Sequence, residues 1–442
     1  MLKALFILAV CLSAAVDIVN MPSNSWLQVP NSTLRSVAAS ASQYPNIQAV
    51  EGVAAVINDW CGAAFDTKRN RLIIHGGGHN GYYGNEVYAF DVGTQQWAMI
   101  KNPTANPTMC TGEYSDGTPA SRHTYGGMVY MSGPDRMFIC GGCPACPAGG
   151  CGMPATWTFN FTNTTWQKMS PSGTNPQTCC GDVAAYDSAT NKVYFLDVRS
   201  SCGYYSYAGL YAYSCANNAW TRLNSDVLNN TECAVAIDTR RHTFIVVGGG
   251  SVFAYNLDNP TAAVQTWTTT GGSSFVSQSS QGLAYDPVSD KYVGWKGGAV
   301  FILDPVTKAW TANNPSGGPP ANADGVTRGV YNRWQYVPSV NAFVTVVSVD
   351  GNVYFYKLTA GMGVEKRVGP AGNSIEVSPN PVRDRVVIRP AASRADVFDI
   401  HGRRIAEIHS GVLKTADWPA GVYILRVEIN GKVLSRRFLV QK

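Results

Sequence analysis

Residues 71–97, RLIIHGGGHNGYYGNEVYAFDVGTQQW, constrain the fold more than any other stretch of this chain. Leu72, Ile73 and Ile74 form a short apolar run that ends in Gly76-Gly77-Gly78; a loop follows, residues 86–91 alternate as a strand does, and Trp97 closes the unit. Glycines let the backbone turn sharply and let neighbouring sheets approach, while Tyr88 and Trp97 supply large apolar surfaces that pack between them. A small sheet of this kind buries both faces only against further copies of itself.

Such copies follow. A second unit runs from His123 through residues 137–142 and 156–159 to Trp166. A third takes residues 183–187, 192–197 and 209–213 to Trp220, and a fourth residues 233–238, 243–249 and 252–255 to Trp267. The fifth has residues 282–286, 291–295 and 299–303 with Trp310. The sixth offers residues 334–337, 342–348 and 353–358 but no closing Trp strand. Residues 25–29, SWLQV, have the Trp and the alternation of an outermost strand, so the N-terminal segment is expected to complete the sixth sheet and fasten a ring. Periods of about 40–50 residues mean an all-β propeller. It is six-bladed on this count, or seven-bladed if residues 31–57 supply another blade. The double glycine, Tyr and Trp of the first unit, Gly77-Gly78, Tyr88 and Trp97, resemble the kelch motif, as in the central domain of galactose oxidase.

Lys+Arg 34 against Asp+Glu 29 gives only +5, and no basic stripe stands out, which argues against a nucleic-acid partner. Residues 1–15 read as a signal peptide, with Lys3 followed by the apolar residues 4–12 and a small-residue cleavage site ending at Ala15. No later stretch approaches the ~20 apolar residues of a membrane span. The propeller is assigned residues 16–360, a Gly-rich linker residues 361–373, and a small β-sandwich residues 374–442. That last segment resembles the type A C-terminal sorting domain of the type IX secretion pathway. The likeness lies in Ser378-Pro379-Asn380-Pro381, in the turn at Asp399, Ile400, His401, Gly402 and Arg403, and in Pro419-Ala420-Gly421-Val422-Tyr423. It implies the type IX machinery as a partner and a secreted or surface location.

Of the 12 Cys, Cys11 falls in the leader, and export favours disulfides among the remaining odd number. Cys140, Cys143, Cys146 and Cys151, in CGGCPACPAGGC, fit either a disulfide-stapled loop or a zinc or iron–sulfur site; with no His among them the first is preferred and no metal is assigned. Cys179-Cys180 are adjacent, and pairing is not readable from spacing.

In a four-stranded antiparallel blade, the connection into the first strand and that between the second and third strands lie on one face. His79, Asn80, Tyr82 and Tyr83 fall in such a loop of the first blade; Arg122, His123 and Tyr125 enter the second; Arg199, Tyr204 and Tyr205 occupy the matching loop of the third; Arg328 and Arg333 precede the sixth. Two His with Arg and Tyr suit proton abstraction beside a carboxylate, the Arg neutralising the acid while Tyr or His moves protons. His123 is the leading candidate, facing the channel with the Arg122 charge beside it. The structural alternative for each is a turn or bracing residue.

This constellation resembles the propeller-fold polysaccharide lyases, particularly the ulvan lyases. That resemblance implies β-elimination on an anionic, uronic-acid polysaccharide, with His79 or His123 as base or neutraliser, Tyr125 or Tyr204 as acid and Arg199 as neutraliser. The substrate-binding set is then Asn80, Tyr82, Tyr83, Arg122, Tyr205, Arg328 and Arg333. The kelch likeness also implies a non-catalytic glycan- or protein-binding platform. A third reading is a copper radical oxidase, for which no Cys aligns with the one those enzymes link to a Tyr.

Overall fold

The strands are short because an Asp ends one and caps the turn to the next. Asp66 Oδ1 accepts from the Lys68 and Arg69 amides, and Asp238 Oδ1 does the same for Arg240 and Arg241, while Asp187 and Asp286 hold their own turns in this way. The residue that re-enters the sheet is often a left-handed Asn or Asp, as at Asn70, Asn191 and Asp290, the types that tolerate that conformation.

The structure is a computed structural model. It describes residues 15–359 apart from 151, 179, 199–206, 227 and 229–231. Beyond these it describes residues 376–378, 382–389, 395–399, 403–409, 412–429 and 432–441. The chain divides into two units, Met1–Thr359 and Ala360–Lys442.

Among the described residues of the first unit, six sheets of four or five mainly antiparallel strands follow one another. The first contains Ala63–Asp66, Arg71–Ile74, Val87–Asp91 and Gln96–Lys101, and the second Met128–Met131, Arg136–Ile139, Trp157–Asn160 and Thr165–Lys168. The third to fifth sheets start at Val183–Asp187, Ala234–Asp238 and Gly282–Asp286; Ser172–Gly173 adds a parallel edge to the third. The sixth joins Gln335–Val337, Ala342–Thr345 and Val353–Lys357 to Ser25–Val29, in the register Ser25↔Lys357 to Val29↔Val353. The first strands of successive sheets touch in order, and that of the sixth touches that of the first. Trp26 seals the join, its ring 5.5 Å from Trp295, 5.7 Å from Trp334 and 5.2 Å from Tyr356. Residues 31–57 form three 3-10 turns and the start of the short helix Ala55–Asn58, and no strand.

The middle of the ring is filled. The 3-10 turn Tyr331–Arg333 sits where the first strands converge, and each of its side chains bonds in a different direction. Asn332 Nδ2 donates to the Gly126, Met128 and Ala184 carbonyls, Tyr331 to Glu232 and Ser280, and Arg333 to the Cys61 and Val346 carbonyls. Neighbouring sheets are also clipped at the rim remote from this turn, for example by Arg69, which carries both Asp66 and Asp135.

The second unit contains one sheet of Glu376–Ser378, Arg385–Arg389 and Val412–Lys414 and another of Ala395–Asp399, Arg404–Ile408, Gly421–Ile429 and Lys432–Val440. Val386, Ile388 and Leu413 of one share an apolar cluster with Val397, Leu425 and Phe438 of the other. Among the described residues no helix is long and apolar enough to cross a membrane.

Candidate functional site

Gly78 builds the site. Its φ is +97°, and a Cβ there would lie 2.6 Å from the His123 amide nitrogen and 2.8 Å from the Cys143 carbonyl oxygen. Only glycine therefore lets the loop after Arg71–Ile74 lie on the small ladder formed by Arg122–His123 and Cys143–Pro144, in which His123 and Cys143 are cross-strand partners. The His79 amide then donates to the Pro144 carbonyl at 2.9 Å, which fixes His79 over the ladder. The ladder is tied further by the disulfides Cys143–Cys180 and Cys110–Cys146.

Three side chains converge there. The His79 and His123 rings are 4.2 Å apart, and the ligand atoms of His79, His123 and Cys143 all lie within 4.8 Å of one another. Trp60 lies 5.1 Å from the His123 ring, and the Tyr125 hydroxyl is 3.4 Å from Cys143 Sγ and 3.5 Å from His123 Nδ1. Tyr125 meets Tyr331 edge-on, which joins the cluster to the turn that fills the ring. His79, Trp60, Tyr125 and Tyr331 all have φ between +42° and +49°, an uncommon conformation for such bulky residues, imposed by the surrounding contacts.

Burial separates the two imidazoles. His79 is half-buried, and its Nε2 meets the Gly150 carbonyl at 3.2 Å. His123 is 2% exposed with no partner for Nε2; burial, then the neighbouring His79 and Arg328, lower its pKa to about 3, so it is neutral at ordinary pH. Arg328 lies over the half-buried Trp60 and donates to Glu51 at 2.6 Å and Asp59 at 2.5 Å. Burial and the adjacent Glu51 raise Asp59 to about 7, against the pull of Arg328.

The expected residues separate accordingly. His79, Asn80, Tyr83 and Arg328 keep exposed surface, and the Tyr83 hydroxyl donates to Asn80 Oδ1 at 2.6 Å. His123, placed first on sequence grounds with its side chain at the rim, lies beneath His79 instead, because the two-residue ladder turns it inward. Arg122 and Arg333 are fully buried and brace loops: Arg122 donates to the carbonyls of Ala120, Gly141 and Gly112, so it presents no charge to a ligand. Tyr82 is fully buried with its hydroxyl on Glu86, and Tyr125 is 5% exposed. Arg199, Tyr204 and Tyr205 lie outside the described residues. Cys143 and Cys146 each pair outside the four-Cys run, in keeping with the disulfide reading for those two; Cys140 is a buried free thiol, and Cys151 lies outside the described residues. A Cys does stand beside a Tyr, Cys143 beside Tyr125, although its sulfur is bonded to Cys180.

Sequence reasoning missed Trp60, Glu51, Asp59 and Glu232. The first three lie in or next to a segment without strand pattern, where nothing in the spacing announces that it returns to the mouth of the ring.

Repeated sheets, an Asp-capped turn in most of them and Trp-sealed joins are features to compare with known families. Residues 40–255 match the KLHDC2/KLHL20/DRC7 Kelch-repeats domain model. The match supports a kelch-type β-propeller for the first unit. No curated protein matches the chain.

Proposed function

We propose that this kelch-type chain is an exported, six-bladed propeller that acts on an anionic, uronic-acid polysaccharide by β-elimination, with His79 as the group that takes the proton. The observation that carries the reading is the half-exposed His79 ring lying 4.2 Å from the buried His123 ring, the two planes tilted by 38°. The lower ring fixes the upper one in orientation, and the upper one remains within reach of a ligand. Trp60, half-buried between the His123 ring and Arg328, lines the same mouth with an aromatic edge. Tyr83, partly exposed on the same loop, is the phenol assigned to return a proton to the leaving oxygen, giving up its bond to Asn80 Oδ1 to do so. The C-terminal unit serves export through the type IX machinery, as its sequence resemblance implies.

One observation favours a second reading. Arg328 already carries two carboxylates, so it is a poor neutraliser for a substrate acid, and that role falls to Arg199. A propeller that binds the polymer without cleaving it uses the same exposed rings. A panel of anionic polysaccharides, followed by the ultraviolet absorbance of the unsaturated product and by polymer co-sedimentation, separates the two. Elimination is expected from the parent and is lost in His79→Ala with binding kept; binding without product from the parent selects the second reading.

A further inference from the structure

We propose that His79, His123 and Cys143 form a redox-gated site for a borderline transition-metal ion, Zn2+ by donor type, in which the Cys143 sulfur serves either the disulfide to Cys180 or the metal. The ligand atoms of the three lie within 4.8 Å of one another. A tetrahedral Zn2+ with nitrogen at ~2.0 Å and sulfur at ~2.3 Å needs ligand separations of about 3.3–3.5 Å, so a shift on the order of 1 Å closes the site. The backbone already holds that spacing. His123 and Cys143 are direct cross-strand partners, and the His79 amide is bonded to the carbonyl of Pro144, the next residue along.

A second, independent feature points to a ligand. His123 Nε2 is buried and has no hydrogen-bond partner, a costly state for an imidazole that a metal bond would relieve. Two nitrogens and a thiolate are the donor set of zinc rather than of calcium or magnesium. Three protein ligands leave a fourth position for water, the pattern of a reactive rather than a closed structural site.

The disulfide sets the gate. Two molecules of a small thiol supply two electrons and two protons to the Cys143–Cys180 bond and leave as their own disulfide, which gives two Cys thiols. The Cys143 thiol then loses its proton to solvent as the zinc–sulfur bond forms. In the oxidised chain the sulfur has no anionic form to offer, so the site is shut.

The inference does not rest on the polysaccharide reading, because metal uptake is measured directly. Where both hold, zinc occupies the His79 lone pair that would take the substrate proton, so zinc silences the reduced chain and leaves the oxidised chain active.

The test uses the full chain in six forms, exchanged anaerobically: oxidised, thiol-reduced, Cys180→Ser, and Cys180→Ser carrying in turn His79→Ala, His123→Ala or Cys143→Ser. After dialysis against Zn2+ the retained metal is counted, and Co2+ is substituted to read the thiolate-to-metal charge-transfer band. About one additional equivalent is expected in the reduced chain and in Cys180→Ser relative to the oxidised chain, lost with each ligand substitution. Circular dichroism checks folding; if Cys180→Ser does not fold, the reduced parent gives the answer. Equal zinc in oxidised and reduced chains, or retention of the extra zinc and the cobalt band in the Cys143→Ser form, overturns the proposal. Zinc uptake as expected with no elimination by any form removes only the polysaccharide reading.

Discussion

Two buried arginines hold loops together from inside the ring. Burial lowers both Arg122 and Arg333 to about 10, still well above neutral pH, so each guanidinium stays charged and is satisfied by backbone carbonyls. Replacing Arg333 by Met leaves the Cys61, Gly325, Gly329 and Val346 oxygens short of a donor, and about 2–4 kcal/mol of unfolding free energy should disappear in denaturant titration. A change under about 0.5 kcal/mol would instead mark the side chain as dispensable to the fold. The sequence reading put both arginines on the ligand-binding face, and the structure turns both inward, because a two-residue ladder and a 3-10 turn carry no periodicity from which side-chain direction can be read. At the opposite hairpin, His242 bridges Asp187 at 3.0 Å and Asp258 at 2.5 Å. Burial opposes its charge, but the two carboxylates outweigh it and raise the His242 pKa; Asp187 is also buried, yet its bonds to Thr190 and His242 leave its pKa lowered. The raised His contributes fully below its unfolded pKa of about 6.5 and fades as pH climbs through the folded value, while the lowered Asp contributes above about 3.9 and fades in acid. The stability gap between parent and His242→Gln should therefore be about 1 kcal/mol wider near pH 5.5 than near pH 9. An equal gap at both refutes the clip.

At the scale of elements, the strand Ser25–Val29 was legible because the sixth repeat lacked a Trp strand and the N-terminal segment had one to spare; the pairing with Val353–Lys357 follows. The turn Tyr331–Arg333 was not legible. Its role depends on where six sheets converge, and no local pattern encodes that point. Deleting residues through Pro30 leaves the 353–357 strand with an open edge and removes Trp26 from between Trp295 and Trp334, so cooperative melting should be lost. An unchanged melting temperature would show that the ring does not depend on this strand. Asn332→Ala removes a donor shared by the Gly126, Met128 and Ala184 carbonyls and should cost about 1–3 kcal/mol.

The whole molecule was legible as repeats, turns and a change of composition near residue 360, where the division into units also falls. The grouping of His79, His123 and Cys143 was not, since it comes from a two-residue ladder, 122–123 against 143–144, too short to leave a pattern, on which the loop carrying His79 lies. A chain ended at Thr359 should melt at the temperature of the parent's first unit and keep all activity, and loss of activity in that folded fragment would place part of the site in the second unit. The central claim is that the mouth of the ring works on its ligand through His79. The most direct measurement is the rate of unsaturated-product formation by parent and His79→Ala on the same uronic-acid polysaccharide, both shown folded by circular dichroism. The account predicts product from the parent and a loss of at least about 100-fold in the variant; equal rates would contradict it.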